Sequence, residues 1–218
     1  MAALRVALTF DAEHPDRPAV ANGTEAVLDV LAEHRTPATF FLQGRWVEAF
    51  PEVAVRIRDG DHLIGNHSHY HARMHLFSAS GFETDVRAAE SVIRRRVGVD
   101  PRPWFRFPFG SGARLPELQR RLADLGYRNI HWDLEVKEWR TRATARQVED
   151  GVVEGVRQLG GEVVVLLHPW PTMSARALPG IIERLSAARA GFVRVDELGR
   201  LPSAPGDGRG VRAGMTAG

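Results

Sequence analysis

Val163-Val164-Val165-Leu166-Leu167-His168 is an unbroken apolar run that ends at a histidine. A run of this kind, without alternating polar residues, is typical of a strand covered on both faces of a parallel sheet. Similar short apolar segments recur along the chain, and we predict strands at Arg5–Phe10, Ala38–Leu42, Leu63–Gly65, Trp104–Arg106, Arg128–Trp132, Val163–Leu167 and Phe192–Val195. Amphipathic helical patterns separate them, at Thr24–His34, Pro51–Asp59, Gly81–Val97, Pro116–Leu125, Ala145–Leu159 and Leu178–Ala190. The alternation predicts an α/β fold built on a parallel sheet, either closed as a barrel or open.

Length and composition set the domain organisation. The chain has 218 residues, of which 44% are hydrophobic, so it can bury a sizeable core, and we predict a single domain over residues 1–202. Residues 203–218 contain mostly Gly, Ala, Pro and Arg, which predicts a flexible C-terminal tail. The absence of cysteine excludes disulfides, thiolate ligands and cysteine nucleophiles.

Charge and hydropathy exclude several classes of partner. The 29 basic and 27 acidic residues are interspersed, and no basic face with aromatic residues is apparent, so we expect no nucleic-acid partner. No apolar run approaches the roughly 20 residues of a membrane span, so we expect no membrane partner. The N-terminus lacks the pattern of a signal peptide, which leads us to expect a cytoplasmic protein. The sequence predicts no particular oligomeric state.

Ionisable side chains follow the ends of five predicted strands. In parallel α/β folds the loops at the carboxyl ends of the strands converge, and functional groups collect there. The segments are Asp11-Ala12-Glu13-His14, His67-Ser68-His69-Tyr70-His71, Arg106-Phe107-Pro108-Phe109-Gly110, His131-Trp132-Asp133-Leu134-Glu135 with Glu138-Trp139, and His168-Pro169-Trp170. We therefore predict a single site assembled from all of these segments.

Histidines are concentrated in one part of the chain. Five of the nine histidines lie between positions 62 and 75. Neutral imidazole is the commonest protein ligand of zinc-like metals, so this cluster beside a strand end predicts a metal site. The cluster alone leaves open which of its histidines bind the metal.

The strand-end segments resemble, in order and spacing, the five motifs of the polysaccharide deacetylase family, the NodB homology domain of carbohydrate esterase family 4. Leu8-Thr9-Phe10-Asp11 is similar to the first motif, and His67-Ser68-x-x-His71 is similar to the histidine pair. The other three matches are Arg106-Phe107-Pro108-Phe109-Gly110 to Arg-x-Pro-Tyr-Gly, Glu138-Trp139 to Asp-Trp, and Leu167-His168 to the final histidine motif. The resemblance spans roughly residues 5–200 and implies a distorted (β/α) barrel of about seven parallel strands.

This resemblance implies a metal-dependent hydrolase that removes an acetyl or similar acyl group from a sugar or amino sugar. His67 and His71 would bind a divalent metal, most commonly Zn²⁺, with Co²⁺, Ni²⁺ and Mn²⁺ as alternatives. Their i, i+4 spacing corresponds to two imidazoles on one face of a helical turn. The bond cleaved would be an amide, with an ester as the alternative.

The family also implies catalytic roles for residues of this chain. Asp11 would be the general base and His168 the general acid. Arg106 would hold Asp11 ionised and oriented, and Glu138 would do the same for the His168 imidazolium. The backbone N–H of Phe109 would supply an oxyanion contact.

The first motif departs from the family's usual Asp-Asp pattern. Ala12 occupies the second place and cannot bind a metal. Asp-x-Glu variants in the family fit Asp11-Ala12-Glu13, so we predict Glu13 as the third ligand, with His14 as the competing candidate. Asp11 and Glu13 share a face if the strand continues. A third alternative is a site with two protein ligands or no metal.

Aromatic residues at the strand ends are candidates for substrate binding. We predict this role for Phe109 through its backbone N–H, and for Trp132, Trp139 and Trp170 because aromatic rings stack on the apolar faces of sugars. Rim packing is the alternative interpretation for the three tryptophans. The expected partner is an acylated carbohydrate or another acylated small molecule.

Two rival functions stay open at this point. A metal-independent, allantoinase-like C–N hydrolase is compatible with Ala12 in place of an aspartate. A carbohydrate-binding pseudoenzyme, which keeps the pocket without the chemistry, is compatible with the same departure.

Overall fold

A curled sheet of eight parallel strands organises the part of the chain that the computed structural model describes, residues 4–16, 23–140 and 142–205. The strands are β1 (Arg5–Ala12), β2 (Thr39–Leu42), β3 (Leu63–Asn66), β4 (Trp104–Phe105), β5 (Arg128–Asn129), β6 (Leu134–Glu135), β7 (Glu162–Leu167) and β8 (Gly191–Phe192). Their order is β5-β4-β3-β2-β1-β7-β6, and β8 pairs with the first residues of β1. Each described strand pair is parallel.

Seven α-helices in the described ranges supply most of the crossovers that parallel strands require. They are α1 (Gly23–Glu33), α2 (Gly44–Ala49), α3 (Pro51–Asp59), α4 (Ala79–Val97), α5 (Pro116–Asp124), α6 (Ala145–Leu159) and α7 (Thr172–Ala187). Pro51 and Pro116 begin helices, where the missing N–H costs nothing, and Gly98 ends α4 at a left-handed φ of 78°. Among these helices, none is long and apolar enough to cross a bilayer.

The two edge strands explain why the sheet curls. β5 and β6 lie at opposite ends of the strand order, yet only residues 130–133 separate them in the chain. Seven strands laid flat at about 4.8 Å spacing would put these edges roughly 29 Å apart. The chain from Asn129 to Leu134 reaches at most about 18 Å. The sheet must therefore curl until its edges approach, and the prediction of a distorted (β/α) barrel is confirmed.

Alternate side chains of β1 point into two different environments. Val6, Phe10 and Ala12 are fully buried in the large apolar cluster that the sheet shares with the helices. Ala7 belongs to the cluster inside the barrel, and Asp11 lies on this same inward face because strand side chains alternate. The inward face of β1 therefore ends at an acidic side chain.

The predicted elements agree with the structure except at a few boundaries and two short elements. The sequence pattern does not predict β6 or α2, because elements of two and six residues are too short to show a hydrophobic periodicity. The strand predicted at Arg128–Trp132 ends at Asn129, since the side chain of Arg106 donates hydrogen bonds to the carbonyl oxygens of Ile130 and His131. α7 begins at Thr172, six residues before its predicted start, and continues through an internal proline.

The beginning of the predicted tail is hydrogen-bonded to the domain. Asn129 Nδ2 donates to the carbonyl of Ser203 at 2.5 Å, and Arg114 Nη2 donates to that of Pro205 at 2.7 Å. The remainder of the predicted tail, residues 206–218, lies outside the described residues.

Candidate active site

Side chains from the carboxyl ends of five strands meet at one end of the barrel. In chain order they are Asp11, Glu13, His67, His71, Arg106, Glu138 and His168. All are buried except His71, which is half-buried. The convergence follows from parallel strand direction, because every strand delivers its following loop to the same end.

Glu13, His67 and His71 form a cluster whose ligand-type atoms all lie within 4.8 Å of one another. His71 Nε2 contacts Glu13 Oε2, and His67 Nε2 lies 3.5 Å from that oxygen. His67 Nδ1 is 2.9 Å from the carbonyl oxygen of Arg106, so Nδ1 donates and Nε2 presents its lone pair. That Nε2 atom is buried and has no hydrogen-bond partner in the described structure. Two imidazoles and one carboxylate are a donor set that fits a zinc-like ion.

The pKa shifts in this cluster suit metal ligands. Burial raises the pKa of Glu13, but the neighbouring imidazoles of His14, His67 and His71 and the charge of His168 outweigh burial and hold that pKa well below its usual range. Burial lowers the pKa of His71. Metal ligands need an ionised carboxylate and a neutral imidazole, and these shifts favour both forms.

The backbone between His67 and His71 is a loop, and the helical turn predicted from the i, i+4 spacing is wrong. Asn66 Oδ1 accepts the N–H of Ser68 at 2.8 Å, and Ser68 Oγ accepts the N–H of His71 at 3.0 Å. Ser68 and His71 have left-handed φ values of 65° and 54°. Because side-chain oxygens accept hydrogen bonds from these N–H groups, the chain turns tightly and brings both imidazoles to Glu13.

Asp85 of α4 supports the middle of this loop and was missed by the sequence reasoning. Its two carboxylate oxygens accept the N–H groups of His69 and Tyr70, each at 3.0 Å. Burial raises the pKa of Asp85, an effect that these hydrogen bonds partly offset. An acidic residue among the buried positions of an amphipathic helix is the signal that could have identified it.

Arg106 pairs with Asp11 in the barrel interior. Its Nη1 donates to Asp11 Oδ1 and to Thr9 Oγ1, each at 2.8 Å, and its Nε donates to the carbonyl of Ile130 at 2.9 Å. Asp11 Oδ2 lies on the site side, 3.5 Å from His67 Nε2. Arg106 therefore occupies one oxygen of Asp11 and leaves the other facing the histidine.

His168 pairs with Glu138. Glu138 Oε1 accepts from both the ring Nδ1 of His168 at 2.8 Å and its backbone N–H at 2.6 Å. Burial lowers the pKa of His168, but the charge and hydrogen bond of Glu138, together with the charges of Glu13 and Asp11, outweigh burial and raise the pKa to about 9. The ring is thus held with Nε2 toward the cluster, 3.8 Å from Glu13 Oε1.

The end of β1 decides which of residues 12–14 reach the cluster. Ala12 is fully buried on the helix-facing side, whereas Asp11 and Glu13 both lie 3.5 Å from His67 Nε2. His14 Nε2 hydrogen-bonds Glu13 Oε1 at 2.9 Å, and His14 is not a member of the three-residue cluster. The geometry favours Glu13 among the alternatives for a third ligand, and its role stays a prediction.

Two of the four predicted substrate-binding aromatics are exposed. Phe109 is 55% exposed, and its ring centroid lies 4.5 Å from that of His71. Trp139 is 43% exposed. Both rings are therefore accessible to a bound molecule.

The other two predicted aromatics are more enclosed. Trp170 is half-buried, and its Nε1 donates to Glu13 Oε1 at 3.4 Å. Trp132 is also half-buried, and its ring stacks on His131 with centroids 3.9 Å apart. These contacts support the site from within, so substrate binding by Trp132 and Trp170 stays a prediction.

Comparison with known proteins identifies the family. The sequence model of the polysaccharide deacetylase family matches residues 2–130. This chain belongs to the polysaccharide deacetylase family. The peptidoglycan-N-acetylmuramic acid deacetylase PdaA of Bacillus subtilis is 29% identical over 204 residues, which cover 90% of this chain and 73% of that protein.

Solved structures of related proteins superpose closely on this barrel. A peptidoglycan N-acetylglucosamine deacetylase superposes with a TM-score of 0.80 at 26% identity, covering 93% of this chain and 91% of that one. A pseudoenzyme of carbohydrate esterase family 4 from Bacillus anthracis superposes with a TM-score of 0.78 at 26% identity, covering 90% and 65%. The predicted family and the predicted enzyme class, a hydrolase of the deacetylase type, are confirmed.

Proposed function

We propose that this protein is a metal-dependent deacetylase that hydrolyses the acyl group of an acetylated sugar or amino sugar. The observation that carries the proposal is the contact of the Glu13–His67–His71 cluster with two charged pairs. Asp11, from one pair, lies 3.5 Å from His67, and His168, from the other, lies 3.8 Å from Glu13. A candidate base and a candidate acid therefore flank one set of metal-type ligands.

Glu13, His67 and His71 would hold the metal. A divalent ion bound there polarises an acyl carbonyl and lowers the pKa of a water molecule. The nitrogen and oxygen donors suit Zn²⁺, with Co²⁺, Ni²⁺ and Mn²⁺ as alternatives. The buried lone pair of His67 Nε2 supports this assignment, because such an atom is costly to leave without a partner.

Asp11 is the residue we assign as general base. Arg106 occupies Oδ1 and compensates the burial of the carboxylate, which leaves Oδ2 directed toward the cluster. A water molecule that attacks an acyl carbon beside the cluster would pass its proton to Oδ2. The fixed guanidinium keeps the carboxylate from rotating during that transfer.

His168 is the residue we assign as general acid. Its Nδ1 is committed to Glu138, and its raised pKa keeps the ring protonated near neutral pH. The proton on Nε2 is then available to the leaving amine or alcohol as the carbon–nitrogen or carbon–oxygen bond breaks. Glu138 stabilises the imidazolium before that step.

An N-acetylated hexosamine is the substrate class we propose, with an amide as the bond cleaved. The proposal draws on the relatives described above, which act on N-acetyl sugars of peptidoglycan. The exposed rings of Phe109 and Trp139 offer faces for stacking against a pyranose. The backbone N–H of Phe109, at a left-handed φ of 59° next to His71, is the oxyanion donor we assign.

The site's composition favours this proposal over its two rivals. A metal-independent C–N hydrolase has no need of three ligand-type atoms within 4.8 Å of one another. A pseudoenzyme has no need of both charged pairs, Asp11 with Arg106 and Glu138 with His168. These features are costly to bury, so their joint retention supports catalysis.

Metal analysis combined with an assay tests the proposal. Protein purified without added metal is analysed for bound metals, stripped with a chelator, reloaded with Zn²⁺ or Co²⁺, and assayed for acetate release from a panel of acetylated oligosaccharides. Chelation should abolish activity and reloading should restore it. His67→Ala and Asp11→Ala should lose activity and still unfold cooperatively. The exposed His75 provides the matched control, because His75→Ala should stay active.

Two outcomes contradict the proposal. Full activity of the stripped protein would establish a metal-independent hydrolase. Sugar binding by calorimetry, with no acetate released under any divalent metal, would establish a binding protein without this chemistry.

A further inference from the structure

The two carboxylate oxygens of Glu13 have different partners. Oε2 faces the cluster, where it contacts His71 Nε2 and lies 3.5 Å from His67 Nε2. Oε1 accepts from His14 Nε2 at 2.9 Å and from Trp170 Nε1 at 3.4 Å, and His168 Nε2 lies 3.8 Å from it. One oxygen is therefore engaged by donors outside the cluster, and the other is directed at the two imidazoles.

His14 reaches this position through an unusual backbone conformation. Neighbouring residues of an extended strand point to opposite sides, so His14 would normally face away from Glu13. The left-handed φ of 61° at His14 reverses this, and its N–H is held by Gln43 Oε1 at 3.1 Å. The ring then lies edge-on to Trp170, with centroids 5.5 Å apart and an interplanar angle of 86°.

We propose that His14 is a positioning residue that holds Oε1 of Glu13 and so presents Oε2 as the single carboxylate oxygen for the metal. Trp170 assists as the second donor to Oε1. A glutamate side chain has three rotatable bonds, and partners outside the ligand set are what fix such a side chain in one orientation. The inference rests on the proposed function, because it requires that Glu13, His67 and His71 bind a metal.

The competing role for His14 is that of a direct ligand. The geometry is against it, because His14 Nε2 contacts Glu13 Oε1, whereas the two imidazoles contact Oε2. The His14 ring lies edge-on to the ring of His71, with centroids 5.4 Å apart, so its nitrogen is committed to Oε1 although the ring lies beside the cluster. A ligand and a positioning residue respond differently to replacement by glutamine. Glutamine supplies an amide N–H donor at similar reach, yet it is a poor substitute for imidazole as a zinc ligand.

Metal affinity is the direct readout. Zn²⁺ affinity of the full chain is measured by competition with a chromophoric chelator. His14→Ala should weaken binding roughly 10- to 100-fold, as loss of a residue that orients a metal ligand typically does. His14→Gln should recover most of the affinity, and Trp170→Phe, which keeps the ring but removes the donor, should show a smaller loss than His14→Ala. His75→Ala should match the unmodified protein. Thermal unfolding of each metal-free variant confirms that it folds.

The absorption spectrum of the Co²⁺-loaded protein separates the two roles. For a positioning residue, His14→Ala and His14→Gln should bind Co²⁺ more weakly but show the same visible spectrum at saturation. An altered spectrum in both variants, with no recovery of affinity in His14→Gln, would make His14 a ligand and overturn the inference. Unchanged Zn²⁺ affinity in His14→Ala would overturn it as well. Failure of the unmodified protein to bind metal would instead refute the proposed function together with this inference.

Discussion

Arg106 Nη1 lies 2.8 Å from Asp11 Oδ1 inside the barrel, where Arg106 has no exposed surface. The same nitrogen binds Thr9, and the guanidinium Nε binds the carbonyl of Ile130. An arginine can satisfy several acceptors at once because its donors are arranged in a rigid fork. The pair therefore joins the strand that carries the candidate base to the loops on the far side of the site.

Loss of this arginine should destabilise as well as inactivate the protein. Arg106→Met leaves Asp11 buried without its partner, which costs about 3–5 kcal/mol of stability in comparable buried pairs. Arg106→Lys should recover little, since one ammonium cannot span the acceptors that the fork reaches. Urea unfolding measures the change. The exposed Arg87, paired with Glu83 on α4, is the control, and Arg87→Met should change stability by less than about 1 kcal/mol. An Arg106→Met variant of full stability would contradict the assigned pairing.

The pKa of His168 should depend on Glu138. It is raised from 6.5 to about 9 in the folded protein, so activity that needs a protonated His168 should fall as pH rises through about 9. Glu138→Gln removes the charge, burial then prevails, and this alkaline limb should move to lower pH. Because the folded pKa is the higher one, the stability that His168 contributes is complete below about 6.5 and is lost as pH rises through about 9.

Proton NMR titration of the His168 ring in metal-free protein provides the direct measurement. Glu117→Gln is the control, because that exposed carboxylate pairs with Arg121 on α5 and should leave the His168 titration unchanged. An unaltered His168 titration in Glu138→Gln would show that Glu138 does not set the pKa.

Asp85 should be needed for the histidine loop to hold its shape. In Asp85→Asn a single carbonyl oxygen replaces two acceptors, so one of the N–H groups of His69 and Tyr70 loses its partner, at a cost of about 1–3 kcal/mol. Zn²⁺ affinity should weaken as well, because the loop carries both His67 and His71. Urea unfolding and chelator competition measure the two effects. Asp124→Asn, at an exposed helix end, is the control, and equal behaviour of the two variants would contradict the assigned role.

His62 should make the fold sensitive to acid. Burial lowers the pKa of His62 to about 4, which is below its ordinary value of 6.5, and its Nδ1 has no hydrogen-bond partner in the described structure. The unfolded chain therefore binds the extra proton first, and stability is lost as pH falls from about 6.5 to about 4. A loss of about 2 kcal/mol is expected from a shift of this size at a partly buried group.

Urea unfolding at several pH values tests this. His62→Leu should flatten the loss of stability between pH 6.5 and 4, whereas the control His34→Leu, in the turn that follows α1, should retain it. A curve for His62→Leu that falls as steeply as that of the unmodified protein would place the acid sensitivity elsewhere.

Much of the site could be predicted because it depends on strand order. A parallel sheet delivers every strand's following loop to one end, so Asp11, His67, Arg106 and His168 converge once the strands are identified. The same rule could not identify Asp85, which lies mid-helix. It also could not separate the exposed Phe109 from the enclosed Trp132, because both follow strands.

Local conformation explains where the spacing argument was wrong. The i, i+4 interval between His67 and His71 matches a helical turn, but side-chain acceptors from Asn66 and Ser68 replace the helical hydrogen bonds. The interval itself does not distinguish a helical turn from this loop, since both conformations bring the two imidazoles to one side.

The order of residues along the chain specifies a parallel α/β sheet, the end at which the site forms and the chemical types gathered there, because the alternation of strand and helix patterns is legible in the sequence. That the sheet curls into a barrel follows from its strand order, in which β5 and β6 form opposite edges. Only the tertiary structure determines that the carboxylate of Glu13 contacts both imidazoles. The strand continues to Ala12, and the left-handed turn at His14 folds the ring back on Glu13. Those dihedral angles are held by Gln43 and Trp170, from distant parts of the chain, so no reading of residues 11–14 alone could have supplied them.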